Sequence, residues 1–201
     1  MRQKRVKQAT IDNLKKGGVI TEVQPILLKD YDKVYLELGS GKGQFITSLA
    51  KDNPNTLWIA MEININVCYR ILEKKEALTL DNLIIILGDA NHLLGYFGPN
   101  QIDGLFLNFS DPWPKPKHHK RRLTYPYFLS QYQQILKKDA IIQFRTDHLD
   151  LFRDSLDYFS NDFEVFDVEK QLPASLYMTE YEEKKRQDGP IYQLNARIKH
   201  D

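Results

Sequence analysis

Five acidic residues lie at or just after the end of a short apolar stretch of β-strand composition. They are Glu37, Glu62, Asp89, Asp111 and Asp147. Any one of them alone is most simply a helix cap or a turn residue. In an open parallel sheet, however, the carboxyl ends of the strands meet at one edge, beside the crevice where ligands bind. Five carboxylates at these positions therefore predict a polar ligand site at that edge.

The sequence Gly-Ser-Gly-Lys-Gly at positions 39–43 directly follows the first predicted strand. Such a turn lets the backbone approach a ligand at the start of a helix, where free N–H groups favour negative or polar groups. It differs from the dinucleotide fingerprint, because position 44 is Gln and the third glycine, Gly43, comes one place early. It also lacks the spacer of a P-loop. The turn indicates a nucleotide-type site or, taken alone, a tight strand-to-helix connection.

The positions of two acids favour a particular ligand. Glu62 lies about twenty residues beyond the glycines, a spacing that suits hydrogen bonds from both hydroxyls of a ribose. Its charge would repel a 2′-phosphate. Asp89 is placed to accept from an adenine amino group, and an acid near the glycine turn suits a positively charged ligand. These positions therefore favour S-adenosylmethionine, which combines adenine, a free ribose diol, and cationic ammonium and sulfonium groups.

A second motif, Ser-Asp-Pro-Trp-Pro-Lys at positions 110–115, runs directly into a cationic stretch. The two prolines that flank Trp113 restrict the backbone, so we expect Asp111 and Lys115 to be held in place. Positions 115–122 contain five Lys or Arg and two His, which puts positive charge where an anionic nucleic-acid backbone could pass. The alternative is that Trp113 only caps the core.

The composition excludes several classes of protein. The chain has 201 residues, of which 42% are hydrophobic and 27% charged, as in a globular domain and not in a disordered chain, a collagen or a coiled coil. Its longest apolar run is far shorter than the ~20 residues of a membrane span. The N-terminus lacks the apolar stretch of a signal peptide, so we expect a cytoplasmic protein. The single Cys68 excludes an internal disulfide.

Charge is unevenly distributed along the chain. The formal net charge of +1 argues against a general nucleic-acid binder, but the first 16 residues carry six cations and one acid. We interpret residues 1–17 as a basic leader of a single domain that comprises residues 1–201.

Short apolar stretches alternate with stretches of helical periodicity, which predicts an α/β fold with a single doubly wound, mostly parallel sheet. Residues 192–198 alternate apolar and polar side chains, as is typical of an antiparallel strand that closes a sheet. The polar segment 170–190 is longer than a connector needs to be, so we expect it to be functional. The predicted strands comprise residues 34–38, 57–61, 83–87, 102–109, 140–144, 163–168 and 192–198.

Six motifs occur in order along the chain: Glu-Leu-Gly-Ser-Gly-Lys-Gly at 37–43, Met-Glu at 61–62, Gly-Asp-Ala at 88–90, Ser-Asp-Pro-Trp-Pro-Lys at 110–115, Lys-His-His-Lys-Arg-Arg-Leu at 117–123 and Thr-Glu-Tyr-Glu at 179–182. Together they resemble the bacterial tRNA (guanine-N7)-methyltransferase family over about the whole chain. The resemblance implies a Rossmann-like class I methyltransferase fold. It also implies methyl transfer from S-adenosylmethionine to N7 of the variable-loop guanosine, position 46, of tRNA. Ser110 departs from the proline that many relatives have.

The resemblance assigns roles by matching motif. Residues expected to bind the methyl donor are Glu37, Gly39, Gly41, Gly43, Glu62, Asp89, Ala90 and Asp111. Residues expected to contact the target nucleotide are Lys115, Asp147, Thr179, Glu180, Tyr181 and Glu182. Residues expected to lie against RNA are Lys117, His118, His119, Lys120, Arg121 and Arg122. Because guanine N7 carries a lone pair and no proton, we expect Asp111 to act by stabilising positive charge on the purine.

Two other functions are consistent with parts of the sequence. The Asp-Pro-Trp segment is similar to the Asp/Asn-Pro-Pro-aromatic motif of amino-group methyltransferases, although here the second proline follows Trp113. A non-catalytic RNA-binding module is the other, and the presence of Glu62 and Asp89 argues against it. We expect no metal, because His118 and His119 are adjacent and have no third ligand at suitable spacing. The sequence does not distinguish a monomer from a homodimer.

Overall fold

The computed structural model describes residues 5–28 and 31–199, and its centre is one sheet of seven strands. None of the helices in these two ranges is long and apolar enough to cross a membrane. The strands are β1 (Lys33–Leu38), β2 (Thr56–Glu62), β3 (Leu83–Leu87), β4 (Ile102–Asn108), β5 (Leu136–Thr146), β6 (Phe163–Glu169) and β7 (Tyr192–Ile198).

The strands follow the order β3-β2-β1-β4-β5-β7-β6 across the sheet. The first five run parallel, and β7 pairs antiparallel with both β5 and β6. The prediction of a doubly wound, mostly parallel sheet with an antiparallel C-terminal strand is therefore confirmed. The expectation that this strand closes the sheet is wrong, because β7 lies between β5 and β6, and β6 is the outermost strand. The strand order reverses between β1 and β4, so the carboxyl ends of these two strands border the crevice at which open α/β sheets bind ligands.

Helices cover both faces of the sheet. They are α1 (Ile11–Lys16), α2 (Gln44–Asp52), α3 (Ile65–Leu78), α4 (Leu93–Tyr96), α5 (Pro126–Ile135), α6 (Leu149–Asp162) and α7 (Glu180–Lys185). Each face of the sheet has its own apolar core. One core contains side chains of α1 to α3, including the buried Cys68. The other core contains side chains of α4 to α6.

Strand β2 shows how the sequence builds this two-sided packing. Leu57, Ile59 and Met61 point into the core under α4 to α6, whereas Trp58 and Ala60 point into the core under α1 to α3. Successive side chains of a strand alternate between its two faces, so a run that is apolar throughout is buried on both. The continuous apolar strands thus fix the sheet in the middle of the molecule and leave its polar strand ends at the edge.

The described part of the predicted basic leader packs on the fold. Leu14 of α1 is buried. Ile20 then pairs with the outer strand β3: its N–H donates to the carbonyl of Ile85 at 2.9 Å, and its carbonyl accepts from Leu87 N at 2.9 Å. Residues 1–4 of the leader lie outside the described residues.

Candidate functional site

The glycine turn between β1 and α2 leaves open space beside its backbone. Its three glycines have positive φ angles: 72° at Gly39, 55° at Gly41 and 82° at Gly43. Residues with a side chain rarely adopt this conformation. A Cβ atom on Gly39 or Gly41 would meet nothing within 4 Å, whereas one on Gly43 would lie 3.0 Å from Ile71 of α3. The turn is therefore packed against α3 on one side and accessible to a ligand on the other.

Glu37, near the end of β1, is a fully buried carboxylate. Its Oε1 accepts a hydrogen bond of 2.9 Å from Asn108 Nδ2 at the end of β4, but its Oε2 has no hydrogen-bond partner within residues 5–28 and 31–199. Burial raises the pKa of Glu37 to about 7, the hydrogen bond from Asn108 offsets part of this, and the charges of Glu62 and Glu180 add to it. An unpaired, buried carboxylate oxygen at this position suits a cationic ligand.

Glu62 ends β2 and connects it to the glycine turn. Its Oε2 accepts a hydrogen bond of 3.0 Å from Gly41 N, and its Oε1 accepts one of 2.9 Å from Asn64 N. Burial raises the pKa of Glu62, these backbone hydrogen bonds oppose the rise, and the charge of Asp111 adds to it. Each carboxylate oxygen has a further lone pair, so both can also accept from hydroxyl groups of a ligand.

Asp89 follows β3 and begins the 3₁₀ turn Ala90–His92. Its Oδ1 accepts hydrogen bonds from Asn91 N at 2.8 Å and from Asn91 Nδ2 at 2.7 Å. The N–H of Gly88 donates to the carbonyl of Glu62 at 3.1 Å, which holds this turn beside the end of β2. Asp89 and Ala90 are half-buried and border the crevice on the β3 side.

The segment after β4 carries Asp111 on a backbone without helix or strand. Phe109 and Trp113 have φ angles of 53° and 41°, a strain of roughly 1–3 kcal/mol each that persists where the surroundings impose it. The Trp113 ring meets His118 edge-on at 5.8 Å and lies 4.9 Å from the guanidinium of Arg121. Trp113 belongs to neither core, so it packs the segment against the cationic stretch and does not cap the core.

Helix α7 lies near the carboxyl ends of β4 and β5, inside the segment for which the sequence predicts only a loop. The Tyr181 hydroxyl donates to Asp147 Oδ2 at 3.1 Å, and its ring lies 5.2 Å from that of Phe109. Thr179 caps the helix, its Oγ1 accepting from the N–H of Glu182 at 2.9 Å. The motif 179–182 and Asp147 are therefore adjacent, while Lys115 is exposed.

Two of the expected roles need correction. Glu182 is fully buried and pairs with Arg145 at 3.2 Å and with Arg186, so its carboxylate already has charged partners inside the protein. Arg122 is 1% exposed and pairs with the partly exposed Asp154, so it does not lie on the surface that RNA could reach. In both cases, opposite charges distant in sequence compensate for burial of the charge.

The rest of the cationic stretch faces solvent to different degrees. Lys117, Lys120 and Arg121 are exposed, and His118 and His119 are half-buried. No three His, Cys, Asp or Glu side chains are grouped as candidate metal ligands in the part of the chain that the structure describes.

Three residues that sequence reasoning missed help to build the site. Asn108 holds one oxygen of the buried acid on β1. Gln44 joins α2 to α7, its Nε2 donating to Glu183 Oε1 at 2.8 Å. Arg145 donates to the Tyr177 carbonyl at 3.2 Å, and burial lowers the pKa of its guanidinium. The only signal for Asn108 and Arg145 was a polar residue at the end of an apolar strand.

The fold is similar to that of solved methyltransferase structures. A 16S rRNA methyltransferase, KamB, superposes with a TM-score of 0.67 at 17% sequence identity, covering 98% of this chain and 97% of that chain. An antibiotic-related methyltransferase superposes with a TM-score of 0.62 at 18% identity, covering 100% and 97%. At this identity the similarity shows the fold alone.

Sequence comparison gives the family. A family model described as "Putative methyltransferase" matches residues 31–194. A tRNA (guanine-N(7)-)-methyltransferase of Lacticaseibacillus casei (strain BL23) is 49% identical over 83% of this chain and 81% of its own, and one of Staphylococcus haemolyticus (strain JCSC1435) is 44% identical over 82% and 80%. The sheet order, glycine turn and acidic strand ends define a Rossmann-like methyltransferase. Within that class, the chain belongs to the tRNA (guanine-N7)-methyltransferase family, as the motifs predict.

Proposed function

We propose that this protein is an enzyme that methylates N7 of guanosine 46 in the variable loop of tRNA, with S-adenosylmethionine as methyl donor. The observation that carries the proposal is the unpaired, buried Oε2 of Glu37 beside the open glycine turn, where the strand order reverses. The exposed cations Lys117 and Lys120 follow the Asp111 segment closely, as binding of an anionic RNA requires. A tRNA substrate also favours a cytoplasmic location.

The described side chains fit the donor in charge and hydrogen-bonding capacity. Glu37 would offer its free oxygen to the ammonium group, Glu62 would accept from the ribose hydroxyls, and Asp89 would accept from the adenine amino group. When bound, the donor supplies an electrophilic methyl group on a sulfonium cation. The charge of Asp111, which contributes to the raised pKa of Glu62, would add to the negative electrostatic potential around that cation.

The proposed reaction needs no general base, because guanine N7 has a lone pair and no proton to lose. The purine would gain positive charge as N7 bonds to the transferred methyl group, while the electron pair of the broken sulfur–carbon bond would stay on the sulfur of the neutral product. Asp111 would stabilise this charge, since a carboxylate fixed in advance needs no reorganisation during the step. Asp147 would accept from the guanine edge, and Lys115 would bind a nearby phosphate. The remaining rate enhancement comes from alignment of the two substrates.

The direct test is incubation with isotopically labelled donor and unmodified tRNA, followed by digestion and nucleoside analysis. We expect label in 7-methylguanosine, and no label in tRNA in which guanosine 46 is replaced by adenosine. Label in a methylated adenosine or cytidine would instead support an amino-group methyltransferase. Donor binding without any labelled product would support an RNA-binding module.

We expect Lys117 and Lys120 to bind phosphates, so the double substitution Lys117→Ala and Lys120→Ala weakens tRNA binding about tenfold at physiological salt. Each lost phosphate contact lowers the slope of log K against log salt by about 0.7–0.9. Fluorescence anisotropy of labelled tRNA, measured across a salt series, gives both quantities. The matched control is Lys51→Ala with Lys138→Ala, two exposed cations at the opposite edge of the sheet. An unchanged salt slope in the first variant would exclude these lysines from the contact.

A further inference from the structure

Arg122 is buried although it belongs to the most cationic stretch of the chain. Its side chain is 2% exposed, whereas Lys117, Lys120 and Arg121 of the same stretch are exposed. A guanidinium is stable in the interior only when hydrogen bonds and opposite charge compensate for lost hydration. Its partners therefore indicate what it does.

The Arg122 guanidinium contacts several groups that are distant from one another in the fold. Its Nε donates to the carbonyl oxygen of Pro112 at 2.7 Å. One terminal nitrogen donates to a carboxylate oxygen of Asp154 on α6, and the other lies 3.0 Å from Nε2 of His119. The guanidinium thus joins the segment that carries Asp111 both to α6 and to the turn that carries His119.

The Asp111 segment needs such an anchor. Asp111 itself is exposed, no helix or strand supports it, and the positive φ angles at Phe109 and Trp113 are strained. A strained backbone keeps its conformation only where neighbouring contacts impose it. Pro112 has no N–H, so its carbonyl, one residue from Asp111, is the backbone group of this residue that can form a hydrogen bond.

We propose that Arg122 is a positioning residue for methyl transfer: by holding the Pro112 carbonyl, it keeps Asp111 directed at the reacting groups. The inference rests on the proposed function. Asp154 is the second member of the arrangement, since it orients the guanidinium and compensates for its charge. Arg122 thus acts on the rate of transfer through Asp111 and not on the affinity for tRNA, although its neighbours in the sequence are placed to bind RNA.

Two substitutions test this inference independently. Arg122→Lys keeps the charge, but a compact ammonium cannot reach Pro112 and Asp154 together as the planar fork does. Asp154→Asn keeps a hydrogen-bond acceptor on a partly exposed residue, and so it is available if Arg122→Lys does not fold. For each variant, kcat is measured at saturating substrates, and binding of donor and tRNA is measured by calorimetry and anisotropy.

We expect kcat to fall about tenfold in each variant, with both dissociation constants and the salt slope within twofold of wild type. We expect the opposite pattern for the double variant Lys117→Ala and Lys120→Ala, in which the tRNA dissociation constant rises while kcat at saturating substrates is kept. Acrylamide quenching of tryptophan fluorescence gives a second readout. Trp58 is 4% exposed, so increased quenching in folded Arg122→Lys reports release of Trp113.

Three results would overturn the inference. One is an unchanged kcat in both variants, or in Asp154→Asn alone if the other does not fold. The second is a loss confined to tRNA affinity and salt slope. The third is unchanged quenching in a folded Arg122→Lys variant. If wild-type protein itself yields no 7-methylguanosine, the proposed function fails, and this failure is distinct from any difference between variant and wild type.

Discussion

Replacing Asp111 by asparagine lowers the rate of methyl transfer at saturating substrates by about 100-fold or more, the effect typical of losing one prearranged electrostatic contact in a transition state. Asparagine keeps the size of the side chain and an acceptor oxygen, but it lacks the charge that offsets positive charge on the purine. The measurement is single-turnover transfer of labelled methyl from donor to tRNA, because product release then does not mask the chemical step.

The matched control for Asp111→Asn is Asp81→Asn, which neutralises an exposed acid just before β3, at the opposite edge of the sheet. It should retain wild-type single-turnover rates. Near-normal turnover in the Asp111 variant would remove this residue from the role proposed for it. A loss that disappears when donor is added in large excess would assign it to donor binding alone.

Replacing Glu37 by glutamine weakens donor binding about 10- to 100-fold at pH 8 and removes most of its dependence on pH. Burial raises the pKa of Glu37 to about 7 in the free protein, and a cationic donor favours the carboxylate. In wild type, binding below pH 7 must therefore displace a proton, and the dissociation constant rises by up to about tenfold per pH unit. Calorimetry between pH 5.5 and 8 measures both effects.

The stability of the donor-free protein supplies the control for this prediction. Because burial raises the pKa of Glu37 in the folded state, only the folded state holds this proton between the ordinary pKa of 4.5 and about pH 7. The free energy of unfolding therefore falls as the pH rises through this range. Above pH 7 the buried charge is fully destabilising. Glu37→Gln should therefore be at least as resistant to heat as wild type at pH 8, so its weaker binding is not unfolding. A pH-independent wild-type affinity would contradict the role of Glu37.

The positions of the acids were predictable because they depend on local sequence. Strand periodicity, followed by a turn, places Glu62 and Asp111 at strand ends, and parallel strands bring these ends to one edge. The glycine turn is equally local, since its positive φ angles require glycine. Residues whose positions follow from the order of strands and turns could therefore be named from the sequence.

The buried charges were not predictable in this way. Arg122 and Arg121 are neighbours of the same chemical type, yet one pairs with Asp154, 32 residues away, and the other faces solvent. Glu182 likewise meets Arg145 across 37 residues. Which charge of a run is buried depends on long-range packing, and a single sequence contains no local signal for it. Helix α7 was missed because its six residues are too few to show helical periodicity.

The pairing of Ile20 with β3 also changes which backbone groups this strand presents to other molecules. An outermost strand presents unsatisfied amide and carbonyl groups that can recruit a strand from another molecule and start aggregation. Here Ile20, which follows the leader, occupies Ile85 O and Leu87 N. These two groups of β3 are therefore not available to a strand of a second molecule.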